Sequence, residues 1–259
     1  MFSLNGLAVR RSLRAALVVL FCASADAAVQ LGATRLIFLE NNHEAALAIK
    51  NEGDRPYVVQ AWVDDGEGQN KTPFLLVPPL SRLDPNVENM LRVMRVLDDL
   101  PQDRESVFWI NVKEIPEKVQ QDNVLQLAIR TRIKLFYRPA ALAGNRAEEA
   151  RKELKWSVLA DRNGGAVLRV ENPTPYHVTF GVMRVSPGVE HIAPDMVPPY
   201  QMREYPLTLI RAPQAVSVEF AIINDYGGLS EEERIEVPLV QEPVRLEAPP
   251  SISSKKRAF

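Results

Sequence analysis

The sequence predicts an all-β protein made of two sandwich-like halves, and three observations carry that prediction. Its apolar runs are short and alternate with polar residues, as strands with one buried face do. Twenty prolines and frequent Gly, Asn and Asp turns punctuate those runs. No stretch keeps the apolar spacing of a long amphipathic helix.

The first half is a series of short strands. Residues 34–39 form one, and residues 45–50 alternate up to the turn Asn51-Glu52-Gly53-Asp54. Residues 57–63 (YVVQAWV) are rich in the aromatic and β-branched types that strands favour. Pro78-Pro79 is a breaker, after which residues 90–96 (MLRVMRV) alternate again. Residues 107–112 (VFWINV) precede a second expected breaker at Ile115-Pro116. Residues 123–139 (NVLQLAIRTRIKLFYRP) close the set. About seven strands separated by turn signals read as an immunoglobulin-like sandwich.

The closing strand is unusual. Leu125, Leu127, Ile129, Ile133 and Leu135 fall on one face, because side chains two apart point the same way. Lys134 falls on the other face, flanked by Ile133 and Leu135, where a cation wants an anionic partner. A bare apolar edge is an aggregation hazard that proteins suppress. Keeping one makes sense for a strand that pairs with another chain.

Residues 140–152 change character. They are rich in Ala, Glu and Arg and read as a short helical or irregular linker, with the domain boundary near Pro139. In residues 153–248, strands are expected at 156–160, 166–171, 177–185, 216–224 and 234–240. Turn signals such as Asn163-Gly164-Gly165 and Asn172-Pro173-Thr174-Pro175 separate them, and the half reads as a smaller β-sandwich or barrel. Residues 249–259 are expected to be a disordered tail.

The start of the chain points to export. Arg10, Arg11 and Arg14 precede the apolar run 15–23, and Ala25-Asp26-Ala27 follows as an A-x-A site. Residues 1–27 thus read as a secretory signal peptide cleaved after Ala27. The apolar run is too short to span a bilayer. Arg10-Arg11 hints at twin-arginine export, but its flanking residues fit poorly, and Phe21 before Cys22 argues against a lipoprotein site. Cys22 is the lone cysteine, so residues 28–259 have no thiol nucleophile, disulfide or thiolate metal site. Such an exported domain depends on its core. The net charge of −2, well mixed, argues against a nucleic-acid surface or a membrane-bound basic patch.

No catalytic motif stands out: the chain has no G-x-S-x-G, H-E-x-x-H, P-loop or G-x-G-x-x-G. His43, His177 and His191 lack ligand spacing and read as surface or packing residues. Asp64, Asp65 and Glu67 beside Gly66 and Gly68 could suit calcium, but a solvated turn is the preferred reading. Trp62 and Trp109 read as core aromatics. Asn172-Pro173-Thr174 is barred from glycan attachment by its proline. No metal, cofactor or catalytic residue is expected.

A set of short motifs nevertheless recurs in a telling order. They begin with Thr34-Arg35, Gln60-Ala61-Trp62 and Pro78-Pro79, then Arg82-Leu83-Asp84-Pro85. The run from Leu100-Pro101-Gln102-Asp103 through Arg104-Glu105-Ser106 leads into Phe108-Trp109-Ile110-Asn111 and Glu114-Ile115-Pro116. Lys134-Leu135-Phe136-Tyr137-Arg138-Pro139 and Glu171-Asn172-Pro173-Thr174-Pro175-Tyr176 follow, then Ile223-Asn224-Asp225-Tyr226-Gly227-Gly228. With these, residues 28–240 resemble the PapD-like periplasmic chaperones of the chaperone–usher pilus pathway.

The resemblance implies two immunoglobulin-like β-sandwich domains at an angle, with an interdomain cleft. Arg35 and Lys134 match the cleft cations that anchor the C-terminal carboxylate of a pilus subunit. Leu125, Leu127 and Ile129 match the donor strand that fills the groove of an incomplete subunit. Glu105, Arg138 and Asp225 match a charge network that holds the domain angle. The implied partners are pilus subunits and an outer-membrane usher, the implied compartment is the periplasm, and no ATP is needed. The short segment 116–122 resembles the branch whose clients form rod-like pili. Some relatives have a disulfide in the second domain, which this chain cannot form, and the tail lies outside the pattern. Self-association of the apolar edge without a client is a further expectation.

Two other classes stand beside this one. A fibre subunit would carry a donor segment after the signal or a cysteine pair. An exported β-sandwich enzyme would need clustered acids around an aromatic cleft. Neither feature is visible in the sequence.

Overall fold

A computed structural model of the chain describes residues 28–68, 71–117, 125–144, 147–161, 164–193 and 195–240. The expected signal peptide, its cleavage-site Ala27, Cys22, most of segment 116–122 and the expected tail lie outside these residues.

The structure is all-β. The first domain contains β1 (Val29–Leu31), β2 (Arg35–Leu39), β3 (Glu44–Asn51), β4 (Tyr57–Asp64), β5 (Phe74–Val77), β6 (Leu80–Leu83), β7 (Glu88–Arg95), β8 (Ser106–Pro116) and β9 (Arg130–Arg138). One sheet has the order β1-β3-β7-β5 and the other β2-β9-β8-β4-β6. The alternation in the sequence is the cause. In β3 and β7 it puts Leu47 opposite Leu91, both fully buried. In the facing sheet Val63, Ile110 and Ile133 form one cross-strand row that points into the same core. Burying each such side chain contributes about 1.5–3 kcal/mol.

Short 3₁₀ turns at Ala140–Leu142 and Glu148–Glu153 join the domains. Leu142 and Ala150 pack onto the second core, so this connection is anchored there. The second domain contains β10 (Lys155–Ala160), β11 (Ala166–Glu171), β12 (Val178–Ser186), β13 (Glu190–His191), β14 (Met196–Val197), β15 (Met202–Leu207), β16 (Val216–Ile222) and β17 (Glu233–Val237). β10-β11-β15 form one layer and β13-β12-β16-β17 the other, with β14 paired to β12.

The structure departs from the expected strands in several places. The expected strands do not include β1, β5, β6, β13, β14 or β15. β5 and β6 flank Pro78-Pro79, where the chain crosses from one sheet to the other. β15 carries Pro206, which an edge strand tolerates. Ile115-Pro116 is not a breaker: β8 continues through it because Tyr57 of β4 pairs with Pro116. The expected continuous strand 123–139 is shorter than its alternation suggests. Pairing begins only at Arg130, and residues 123 and 124 lie outside the described residues.

Candidate functional site

The parallel pairing of β2 with β9 sets Arg35 directly beside Lys134, although the two are far apart in sequence. Arg35 reaches across to the second domain. Its Nη1 donates to the Ile223 carbonyl at 2.9 Å, and its guanidinium carbon lies 5.6 Å above the Phe136 ring. Its Nε is buried without a partner. Burial lowers the Arg35 pKa, and the carboxylates of Asp225 and Glu105 offset this only in part. Lys134 is lowered as well, first by burial and then by the neighbouring Arg35, with Asp195 acting the other way. Among the described residues its ammonium has no hydrogen bond or ion pair. Two adjacent cations, each partly stripped of water, form an arrangement that a bound anion completes.

Immediately before β9, residues 125–129 leave the sheet. The β8–β9 ladder ends at Lys113 opposite Arg130, and the rest of β8 pairs with β4. The Ile129 carbonyl is still held by the Glu114 amide at 3.0 Å, and the Gln126 side chain donates to the Glu117 carbonyl. Leu125, Leu127 and Ile129 are 83%, 68% and 39% exposed, whereas Ile133 and Leu135 are buried in the core. The five aliphatics of expected common face thus separate where the sandwich ends: two fill its core and three are exposed.

A charged seam closes the cleft. Arg138, buried at the end of β9, donates from Nε to Glu105 Oε1 at 2.7 Å. Its two Nη atoms grip Asp225 at 2.7 and 2.9 Å. Burial alone would lower the Arg138 pKa; Asp225 and Glu105 outweigh it and raise it. The other Glu105 oxygen accepts the His177 amide at 2.8 Å and faces His177 Nδ1 at 3.3 Å. Glu105 also donates its own amide to the Pro175 carbonyl. Asp225 lies in a turn knitted by Asn224, whose Oδ1 accepts the amides of Tyr226 and Gly228. Gly227 in this turn has φ +84°, and a Cβ there would meet Thr34 Oγ1 at 2.1 Å. Only glycine lets the turn approach β2 so closely.

Known families agree with this architecture. The profile described as pili and flagellar-assembly chaperone, PapD N-terminal domain, matches residues 28–143. That of the pili assembly chaperone PapD, C-terminal domain, matches residues 149–234. The chain belongs to the PapD-like family of chaperone–usher chaperones. It is 42% identical to the probable fimbrial chaperone LpfB of Escherichia coli O157:H7, over 78% of this chain and 86% of that one. Among solved structures, the Pseudomonas aeruginosa CupB2 chaperone is 31% identical with a TM-score of 0.67, covering 82% of this chain and 100% of that one. The Salmonella enterica SafB chaperone, solved in complex with the SafA pilin, is 30% identical with a TM-score of 0.69; 82% of this chain and 98% of that one are covered.

Sequence reasoning missed several groups around the cleft of this chaperone. His177, expected as a surface or packing residue, does pack, buried against Phe136, but its contact with Glu105 was not foreseen. The carbonyls of Ile223 and Pro175 carry no signal in residue type.

The outer face of the first domain also differs from expectation. Trp62 and Trp109 are not core aromatics; they lie on the sheet's outside, beneath Arg130 at 5.1 Å and Arg132 at 4.8 Å. Asp64 is not in a solvated turn. It is 1% exposed and accepts Asn111 Nδ2 at 2.8 Å, Arg132 at 2.6 Å and the Gly66 amide at 2.9 Å. Burial would raise its pKa, but those donors outweigh it and hold the carboxyl below its ordinary 3.8. A folded-state pKa below the unfolded one means stabilisation that is full at neutral pH and lost as acid titrates the folded carboxyl. Asp64→Ala is expected to cost about 1–3 kcal/mol at neutral pH by leaving Asn111 and the arginines unpaired. Urea unfolding at neutral pH and again at about pH 3 measures it; a difference from wild type that does not shrink in acid contradicts the assignment.

Proposed function

We propose that this chaperone works in the periplasm, where it captures pilus subunits, holds them partly folded and passes them to an outer-membrane usher. Residues 125–129 complete the subunit's sandwich as a donated strand, with Leu125, Leu127 and Ile129 filling its groove. Backbone pairing supplies affinity with little sequence demand, and the side chains set the register. Arg35 and Lys134 bind the subunit's C-terminal carboxylate, which fixes that register again at the other end. Glu105, Arg138 and Asp225 keep the two domains at the orientation this grip needs. The exchange proceeds without ATP. In the absence of a client the same edge pairs with a second copy of the chain.

The observation that carries this reading is what one short stretch of chain, residues 125–134, presents. It presents three exposed aliphatics and, a few residues on, a lysine that is unpaired among the described residues and lies beside a second cation. An extended chain ending in a carboxylate complements both features.

The test is affinity capture from the periplasm of the native host. Tagged protein is compared with Arg35→Ala and Lys134→Ala, and co-eluting chains are identified by mass spectrometry. A charge-assisted bond contributes about 1.5–3 kcal/mol, so each substitution is expected to weaken capture about tenfold to a hundredfold. The expected partner is a small secreted β-rich subunit held one to one. Capture indifferent to both substitutions overturns the carboxylate anchor, and no such partner overturns the reading as a whole.

A further inference from the structure

Among the described residues, Glu114 is a buried carboxylate without a cation. Its side chain extends from β8, and the residue is 4% exposed. Oε2 accepts the Val29 amide at 3.1 Å, while Oε1 is buried with no hydrogen-bond partner. The Ala28 N–H is a further donor toward the same carboxylate. No Lys, Arg or His among the described residues forms an ion pair with it. Its pKa is raised, because desolvation outweighs both amides. A group in this state lacks a positive charge at one defined place.

The place is held rigidly. Val29 pairs with Asn51 at the start of β1, and the Ala28 carbonyl accepts the Glu52 amide at 2.7 Å. The backbone on the carbonyl side of the Ala28 α-carbon is therefore fixed against the first sandwich, and its nitrogen faces Glu114. Ala25-Asp26-Ala27 ends immediately before that nitrogen.

We propose that Glu114 is the receptor for the amino terminus that signal cleavage creates, with the new Ala28 ammonium pairing with the oxygen that is otherwise unsatisfied. This rests on cleavage falling between Ala27 and Ala28. Hydrolysis adds one water across that peptide bond. The carboxylate leaves with the signal peptide on Ala27, and the amine stays on Ala28. An α-amino group titrates near pH 7.7–8.0, roughly, so it takes up a proton at neutral pH. One neutral N–H donor thereby becomes three donors and a full charge beside the buried carboxylate. The precursor cannot form this pair. Glu114 also donates its own amide to Ile129, so the residue that receives the new terminus is the one that holds the base of the exposed aliphatic segment. Processing tightens the end of the sandwich from which that segment departs.

The test uses the chain beginning at Ala28, released from a fusion, with and without Nα-acetylation, in wild type and Glu114→Gln. Acetylation is expected to lower the wild-type melting temperature by at least about 2 °C and to have little effect in Glu114→Gln. NMR titration of ¹⁵N-labelled Ala28 is expected to give an α-amino pKa above the ordinary value in wild type. Equal acetylation effects in both backgrounds, or an ordinary α-amino pKa in wild type, overturn the proposal. If Glu114→Gln does not fold, the wild-type titration decides alone. The intact mass of protein recovered from the periplasm tests the cleavage site separately: a start other than Ala28 overturns the role of processing, whereas the titration reports on the receptor itself.

Discussion

A chain carrying Leu125→Ser, Leu127→Ser and Ile129→Ser melts where wild type melts and no longer captures a subunit. The first half of this result follows from exposure. None of the three side chains belongs to the core, and surface substitutions of this kind change stability by about 0.5 kcal/mol or less. The second half follows from the groove the proposed client would close over them. Each aliphatic buried there contributes about 1.5–3 kcal/mol, or about tenfold to a hundredfold in affinity, and three together take capture below detection. Calorimetry and pull-down on the same preparations measure both halves. Capture that survives the triple substitution removes residues 125–129 from the mechanism. Loss of melting temperature alongside capture makes them structural.

Arg138→Ala is expected to be the most destabilising single substitution in the cleft, at about 3–5 kcal/mol. It leaves Glu105 buried without its cation, while Asp225, more exposed, regains water. Breaking one side of a buried pair costs more than replacing both sides, because the remaining charge is stranded. The double variant Glu105→Gln with Arg138→Met should therefore recover part of the loss. Denaturant unfolding of the three variants tests this. An Arg138→Ala cost within about 0.5 kcal/mol of zero, or a double variant worse than the single one, contradicts the assignment of the seam as a stranded-charge system.

The legible parts of the sequence were those where one face of a strand is buried along its length. β3, β4 and β7 alternate visibly, and their inward residues make the first core. Parity also held information that size obscured. Val59, Ala61 and Val63 point inward, so Trp62 between them must point out; Ile110 and Val112 do the same for Trp109. Length defeated β1, which has three residues, and proline disguised β15. The Asp64 environment was hidden because its neighbours Asp65, Gly66, Glu67 and Gly68 spell a turn, while its partners Asn111, Arg130 and Arg132 come from β8 and β9. Periodicity could not place Arg35 beside Lys134, because the pairing joins strands from opposite ends of the domain. Only the resemblance to a family pointed there. Alternation extended through residues 125–129 because it reports a face, not whether anything covers it.

The hydrogen bond from Arg35 to the Ile223 carbonyl has a thermodynamic corollary. The cation belongs to one domain and its brace to the other, so the geometry of the site is a function of how the domains are oriented. In the proposed grip, only those members of the unliganded ensemble with the brace in place are competent, and the apparent dissociation constant is the intrinsic one divided by their fraction. Linkage makes the relation reciprocal: an anion that prefers the braced orientation narrows the ensemble by the same free energy. The proposed capture of a chain terminus and interdomain flexibility are then two readings of one equilibrium, and either can be measured through the other.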